Sequence, residues 1–246
     1  MSQRPGTGAP AIHRFDAVPS TMDRLHDLAE SGAPAGTVVV AAEQTAGRGS
    51  RGRRWQSPPG GLWMSILLRP ARDGTELLSL RAGLAIAEAL ERSDSGLGIG
   101  IKWPNDLMWR DRKIGGLLCE ARWTGSAPAW TAVGVGLNLR NPVPQALRDT
   151  AAALGEHLPA LTPEMALDLV LPGLRSLAGG APRLDDRERH ALARRDWLRG
   201  RRLLEPVAGV AAGIGDDGAL LVRRPGGGLA EVRAGTVRLA GDPVSP

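Results

Sequence analysis

Between Trp130 and Leu139 the apolar residues Val133, Val135 and Leu137 alternate with Gly134, Gly136 and Asn138. A period of two marks a β-strand, and this one is apolar on one face and nearly without side-chain bulk on the other. The apolar face needs a covering layer. The glycine face lets a ligand or another backbone approach closely. The chain must therefore build a sheet around this strand, and the neighbouring segments say which kind.

Residues 12–16 read as a short strand, followed by a helix that Ser20 or Thr21 caps and that runs to about Ser31. The compact β-branched run at 37–43 and the apolar run at 62–68 predict buried strands. Leu77, Leu80 and Leu84 fall at helical spacing, predicting an amphipathic helix that ends near Arg92. A hairpin turning at Asp111-Arg112 joins 107–110 to 114–122, and further helices are expected over 163–178 and 184–198. Beyond Gly200 the pattern is strand-like, with turns at 215–218 and 226–228. The expected architecture is α+β, a mixed β-sheet with helices on one face, followed by a small SH3-like β-barrel. The expected divisions are a tail at 1–11, a main domain at 12–199 and the barrel at 200–246.

With 42% hydrophobic residues the chain can bury a core, and no apolar run approaches the ~18–20 residues of a membrane span. The opening MSQRPGTGAP lacks the apolar stretch of a signal peptide, and the one cysteine, Cys119, makes no internal disulfide. Cys119 is expected to be a small buried apolar group in a strand. These features point to a cytoplasmic protein. The net charge of +5 raises a nucleic-acid reading, but the basic residues are spread along the whole chain. More telling, of 31 lysines and arginines only Lys102 and Lys113 are lysine. Lysine is a compact charge on a flexible stem, suited to phosphate oxygens. Two of them flanking WPND imply that lysine is needed there.

Four strings carry chemistry. In QTAGRGSRGRRWQSP (44–58), Gly47, Gly49 and Gly52 free backbone N–H groups to wrap an anion. Arg48, Arg51, Arg53 and Arg54 supply charge there, and Trp55 offers a face on which a base can stack. The same loop also reads as a solvated basic loop or an Arg-Gly nucleic-acid segment. In KWPNDL (102–107), Asp106 beside Asn105 stands where it can hold Mg²⁺ on a nucleotide or orient an amine, although a Pro-Asn-Asp turn is an alternative. In RKIGGLLCE (112–120), Lys113 can offset charge on a phosphate. In GVGLN (134–138), Asn138 offers a donor and an acceptor. His13, His26, His157 and His190 show no metal-ligand spacing and read as surface or capping residues. No GxxxxGK[ST] loop is present.

In this order and approximate spacing, GRGSRGRRW, KWPNDL, KIGGLLCE and GVGLN resemble biotin–protein ligases, and Pro19-Ser20-Thr21 matches that family's Ser-Thr element. The resemblance covers nearly the whole chain. It implies a catalytic domain of the class II aminoacyl-tRNA synthetase/biotin ligase type, with the C-terminal SH3-like barrel. It further implies ATP-dependent formation of biotinyl-5′-AMP, then transfer to a lysine of a biotin carboxyl carrier domain, with Mg²⁺ as cofactor. By the same resemblance, Ser20, Thr21, Gln44, Gly47, Arg48, Lys113, Gly116, Gly134 and Gly136 bind biotin. Arg48, Ser50, Arg51, Arg53, Trp55, Lys102, Asn105, Lys113 and Asn138 bind ATP. Arg48, Lys113 and Asp106 are catalytic, and Asp106 is the expected metal contact.

Two residues depart from the family pattern: Ser50 stands where arginine is often found, and Met22 where asparagine is frequent. No DNA-binding domain is expected ahead of Ile12, and the protein is expected to be a monomer or homodimer away from membranes. The alternatives are a lipoate–protein ligase, a non-catalytic biotin binder and a nucleic-acid-binding protein.

Overall fold

A parallel pair of strands begins the fold. In this computed structural model, which describes residues 9–69, 77–125, 127–177 and 181–240, β1 (Ile12–Val18) pairs with β2 (Val38–Gln44). Parallel neighbours need a crossover, and the helix α1 (Thr21–Glu30) supplies it. β3 (Leu62–Leu68), β4 (Ile99–Lys102), β5 (Asp106–Trp109), β6 (Arg112–Thr124) and β7 (Ala127–Leu137) follow by antiparallel pairing. They complete a seven-stranded mixed sheet in the order β1-β2-β3-β7-β6-β5-β4, with the glycine-alternating β7 at its centre.

The pleat sorts the residues of β7 as the alternation requires. Val133, Val135 and Leu137 lie opposite Ile66, Met64 and Leu62 of β3. All six belong to the main core, together with the apolar faces of α2 (Leu78–Ser93) and α3 (Pro163–Arg175). The expectation of helices on one face only is corrected here. α1 packs Met22, Leu25 and Ala29 onto Val39, Leu67 and Ala132, which point the other way from the main core. The β1–β2 crossover has to pass over one face of the sheet, and it takes the face that α2 and α3 leave open. On that same face, by the start of α1, lie Gly134, Gly136 and Gly116, the last two directly opposite each other.

Trp63, Trp103 and Trp109 supply buried aromatic surface in a chain without tyrosine, whereas Trp123, near the β6–β7 turn, is 58% exposed. Cys119 is half-buried on β6, and loss of solvent pushes its thiol up to about 12, so it stays protonated at neutral pH. His26 is not the surface residue expected. It is buried, its Nδ1 accepts from Trp130 Nε1 at 3.1 Å, and its Nε2 lies 3.2 Å from Glu120 Oε2.

α3 ends at Arg175, before the expected end at Ala178, which lies outside the described residues. After α4 (Asp186–Arg195) come β8 (Arg202–Glu205), β9 (Gly209–Ile214), β10 (Leu220–Arg223), β11 (Leu229–Val232) and β12 (Arg238–Leu239). They form an antiparallel sheet in the order β11-β10-β9-β8-β12. Among the described residues this sheet is open. β12 is two residues long and pairs with β8, leaving β11 and β12 as separate edges in place of the closed barrel expected. Leu203, Ala211, Leu220 and Val222 join the main core, and Trp103 Nε1 donates to Gly218 O at 2.9 Å. The C-terminal sheet thus buttresses the WPND turn. As for membranes, no helix among the described residues is long and apolar enough to cross one.

Candidate active site

The glycine face of β6 and β7 forms the floor of a cavity of about 490 Å³. Its walls come from the start of α1, the end of β2, the loop between β2 and β3, the β4–β5 turn and the segment 141–151. Of the residues expected to bind or react, all but Gly47 and Arg51 line it. Residues far apart in the chain meet here because β7 is central and its neighbours all end on the same side.

One wall is a hydrogen-bonded polar group. Ser20 caps α1, its Oγ accepting from Met22 N at 3.2 Å, which places Thr21 at the helix start. Thr21 donates to Gln44 Oε1 from its amide at 2.9 Å and from its hydroxyl at 3.1 Å. Gln44 Nε2 donates to Ser57 Oγ at 2.8 Å. Met22 closes the inner end, its sulfur 3.0 Å from where a Cβ on Gly134 would stand.

The basic loop folds back on itself through Gly49 N to Arg53 O at 2.7 Å and Trp55 N to Gly47 O at 2.8 Å. A single 3₁₀ turn, Ser50–Gly52, reverses the chain, with Arg51 and Gly52 at φ 61 and 72. Trp55 lies on the glycine floor: a Cβ on Gly136 would be 2.6 Å from its Nε1, and one on Gly116 would be 3.5 Å from its Cζ3. Among the described residues the buried Trp55 Nε1 has no partner. Arg48 is held by Asp23 at 2.7 Å and by Glu120 at 3.3 Å, and Glu120 is in turn backed by His26. Arg53 donates to Ser50 Oγ at 3.0 Å. Arg51 turns away to Thr236 Oγ1 beside the C-terminal sheet.

The opposite wall holds an ion pair between two of the residues expected to be catalytic. Lys113 Nζ is 2.6 Å from Asp106 Oδ1 and 4.9 Å from the centre of a Trp55 ring. Lys102 Nζ stands 5.2 Å from the Trp197 ring centre. Asn105 spends its amide donor on Leu117 O at 2.6 Å, so it serves the turn as well as the lining. Asn138 Oδ1 accepts from Asn141 Nδ2 at 3.2 Å, which aims the Asn138 N–H₂ elsewhere. Five cationic side chains (Arg48, Arg53, Arg54, Lys102, Lys113) and two carboxylates (Asp106, Asp111) line the cavity. The excess of positive charge suits a polyanion. Among the described residues no group of three or more His, Cys, Asp or Glu is placed to hold a metal.

Sequence reasoning missed Asp23, Asn141 and the wall at 142–151. Ser57 and Glu120 lie within two of the strings above, and only their partners Gln44 and Arg48 show what they do. Asn141 follows GVGLN by three residues and carried a weak signal. The 142–151 wall carried none, being a Pro-interrupted loop that touches the cavity only through tertiary contact.

The model of the biotin/lipoate A/B protein ligase family matches residues 14–138. The chain is 36% identical over 212 residues to a biotin–[acetyl-CoA-carboxylase] ligase from Paracoccus denitrificans, covering 77% of this chain and 85% of that one. It is 38% identical over 147 residues to the bifunctional ligase/repressor BirA of Bacillus subtilis, of which the match spans 45% of the length. Among solved structures it resembles a biotin protein ligase from Aquifex aeolicus in complex with biotin and ATP. That likeness has a TM-score of 0.78 and 27% identity, over 94% of this chain and 99% of the other. The four strings, the sheet that brings them together and these likenesses agree, and the chain belongs to the biotin/lipoate A/B protein ligase family.

Proposed function

We propose that the protein is an ATP-dependent biotin–protein ligase acting in the cytoplasm on a biotin carboxyl carrier domain. The observation that carries this reading is the placement of Lys113 and Asp106 in one cavity with the Thr21–Gln44 wall and the glycine floor. The relatives named above include a biotin–[acetyl-CoA-carboxylase] ligase and a structure holding biotin and ATP, which supports the choice of substrates.

In the first step a biotin carboxylate oxygen attacks the α-phosphorus of ATP and pyrophosphate leaves. Two anions must approach, and Coulomb repulsion opposes them. Lys113 and Arg48 are the cations that offset the charge, Arg48 after exchanging Asp23 and Glu120 for the ligand. In the second step the carrier's lysine amine attacks the acyl carbon of biotinyl-AMP, an amide bond forms and AMP leaves. Asp106 is the carboxylate at hand to take the amine's proton. Asp106, one of two carboxylates lining the cavity, would hold Mg²⁺ together with the nucleotide's phosphates, where the ion would offset phosphate charge, because among the described residues no group of three or more His, Cys, Asp or Glu could hold it alone.

Incubation with ATP, Mg²⁺ and labelled biotin, with and without a carrier domain, tests the reading. Label on the carrier lysine is expected. Biotin bound but never transferred favours a binding protein, and labelling from lipoate alone favours a lipoate ligase.

Ser50 sets a further expectation. Its hydroxyl accepts from Arg53, so no residue-50 cation faces the adenylate. Ser50→Arg is expected to slow release of biotinyl-AMP by about tenfold, the weight of one charge-assisted hydrogen bond. Release is followed by rapid filtration of preformed complex, and equal rates in the two proteins would sink the idea.

A further inference from the structure

Ser57 is 3% exposed, does not line the cavity, and has no role in the chemistry above. Its hydroxyl nevertheless joins two parts of the site. Gln44 Nε2 donates to Ser57 Oγ at 2.8 Å, and Ser57 Oγ donates to Trp55 O at 3.3 Å. Beyond Gln44 the proton directions are also set. Thr21 Oγ1 spends its proton on Gln44 Oε1, so in its 2.8 Å contact with the fully buried Ser65 Oγ it must accept. One directed chain thus runs from Ser65 to Thr21, Gln44, Ser57 and the Trp55 carbonyl.

Each end of the Gln44 amide is therefore held. The two Thr21 donors decide which end is oxygen. Ser57 decides where the nitrogen end sits, and it takes one N–H while leaving the other for a ligand. A second observation supports the importance of this junction. A Cβ on Gly47 would stand 2.6 Å from Trp55 O, 2.7 Å from Ser57 Oγ and 3.1 Å from Gln44 Nε2. Glycine at 47 is what allows those three groups to meet, which explains that position although it does not touch the cavity.

We propose that Ser57 is a positioning residue that holds the Gln44 amide for biotin and ties it to Trp55 in the basic loop. This rests on the biotin reading above. Ser57 acts through Gln44, so its effect on biotin affinity belongs to the pair and not to the fold at large.

Calorimetric titration of biotin into the wild type, Ser57→Ala, Gln44→Ala and the double variant tests this. Ser57→Ala is expected to raise the Kd for biotin about tenfold. The kcat at saturating substrates is expected to stay within about twofold, because the lost contact acts on binding and not on the chemical step. In the Gln44→Ala background, removing Ser57 is expected to add less than about twofold. A full loss in that background, or none in the single variant, overturns the proposal. Thermal melts accompany each titration. Should alanine leave too little folded protein, Ser57→Cys keeps the shape and weakens both hydrogen bonds, and the same dependence on Gln44 is expected. A wild type that binds no biotin overturns the proposal through the functional reading instead of through Ser57.

Discussion

Lys113→Ala is expected to lower the rate of adenylate formation by about 10²–10³-fold, comparable to removing one preorganised charge-stabilising donor from an active site. Two effects add. The variant loses the ammonium proposed above to offset phosphate charge, and it leaves the Asp106 carboxylate, 2.6 Å away in the wild type, without its counter-charge in the proposed substrate cavity. Lys113→Arg is expected to recover little. The planar guanidinium has a different reach and a different fork, and here it must fit between Trp55 and the Gly116 backbone. Some loss of stability is also expected, because the pair is mostly buried, with side chains 26% and 20% exposed, and the variant leaves Asp106 unpaired. Pyrophosphate release in a single turnover is the measurement. A loss below about fivefold, far short of what such a donor supplies, would remove Lys113 from the chemical step.

Trp63→Ala is expected to destabilise the fold by about 3–5 kcal/mol, the cost of emptying a buried aromatic site. Trp63 is fully buried on β3, lies opposite Gly136, and donates from Nε1 to Pro58 O at 2.9 Å. Its ring fills the space beside Gly61 so closely that a Cβ there would be 2.1 Å from Cζ2. The loss is large beside a total stability of about 5–15 kcal/mol, and at this chain length the melting temperature should fall by roughly 8–15 °C. Trp63→Phe should recover part of it while leaving the Pro58 carbonyl without its donor. A calorimetric melt decides the matter. An unchanged midpoint would mean that the floor of the site does not depend on this ring.

The elements legible in advance share one property, a periodic pattern that repeats over several residues. The strand at 62–68 has the expected bounds, and α1 begins at Thr21 after a Ser20 cap. The alternation in β7 did forecast which of its faces is packed and which is open. The helix on the second face was not legible. Met22, Leu25 and Ala29 mark an apolar stripe, but a stripe says only that something is covered and not which side of a sheet it covers. The closed barrel was also misjudged, since closure depends on one more strand pairing than the described residues make.

Of the site, the sequence alone determined the inventory. Two lysines in an arginine-rich chain, glycines at alternate positions of one strand and an Arg-Gly loop are compositional facts: the glycines permit close approach, and the basic residues favour an anion. Only the tertiary structure decided how these groups are spent. Arg48 lies on Asp23 and Glu120, Lys113 on Asp106, Gln44 between Thr21 and Ser57, and Arg51 outside the cavity altogether. Those pairings join residues up to 185 positions apart. A hydrogen bond or ion pair depends on separation and direction in space, and the order of residues along a chain specifies neither until the sheet has brought them together.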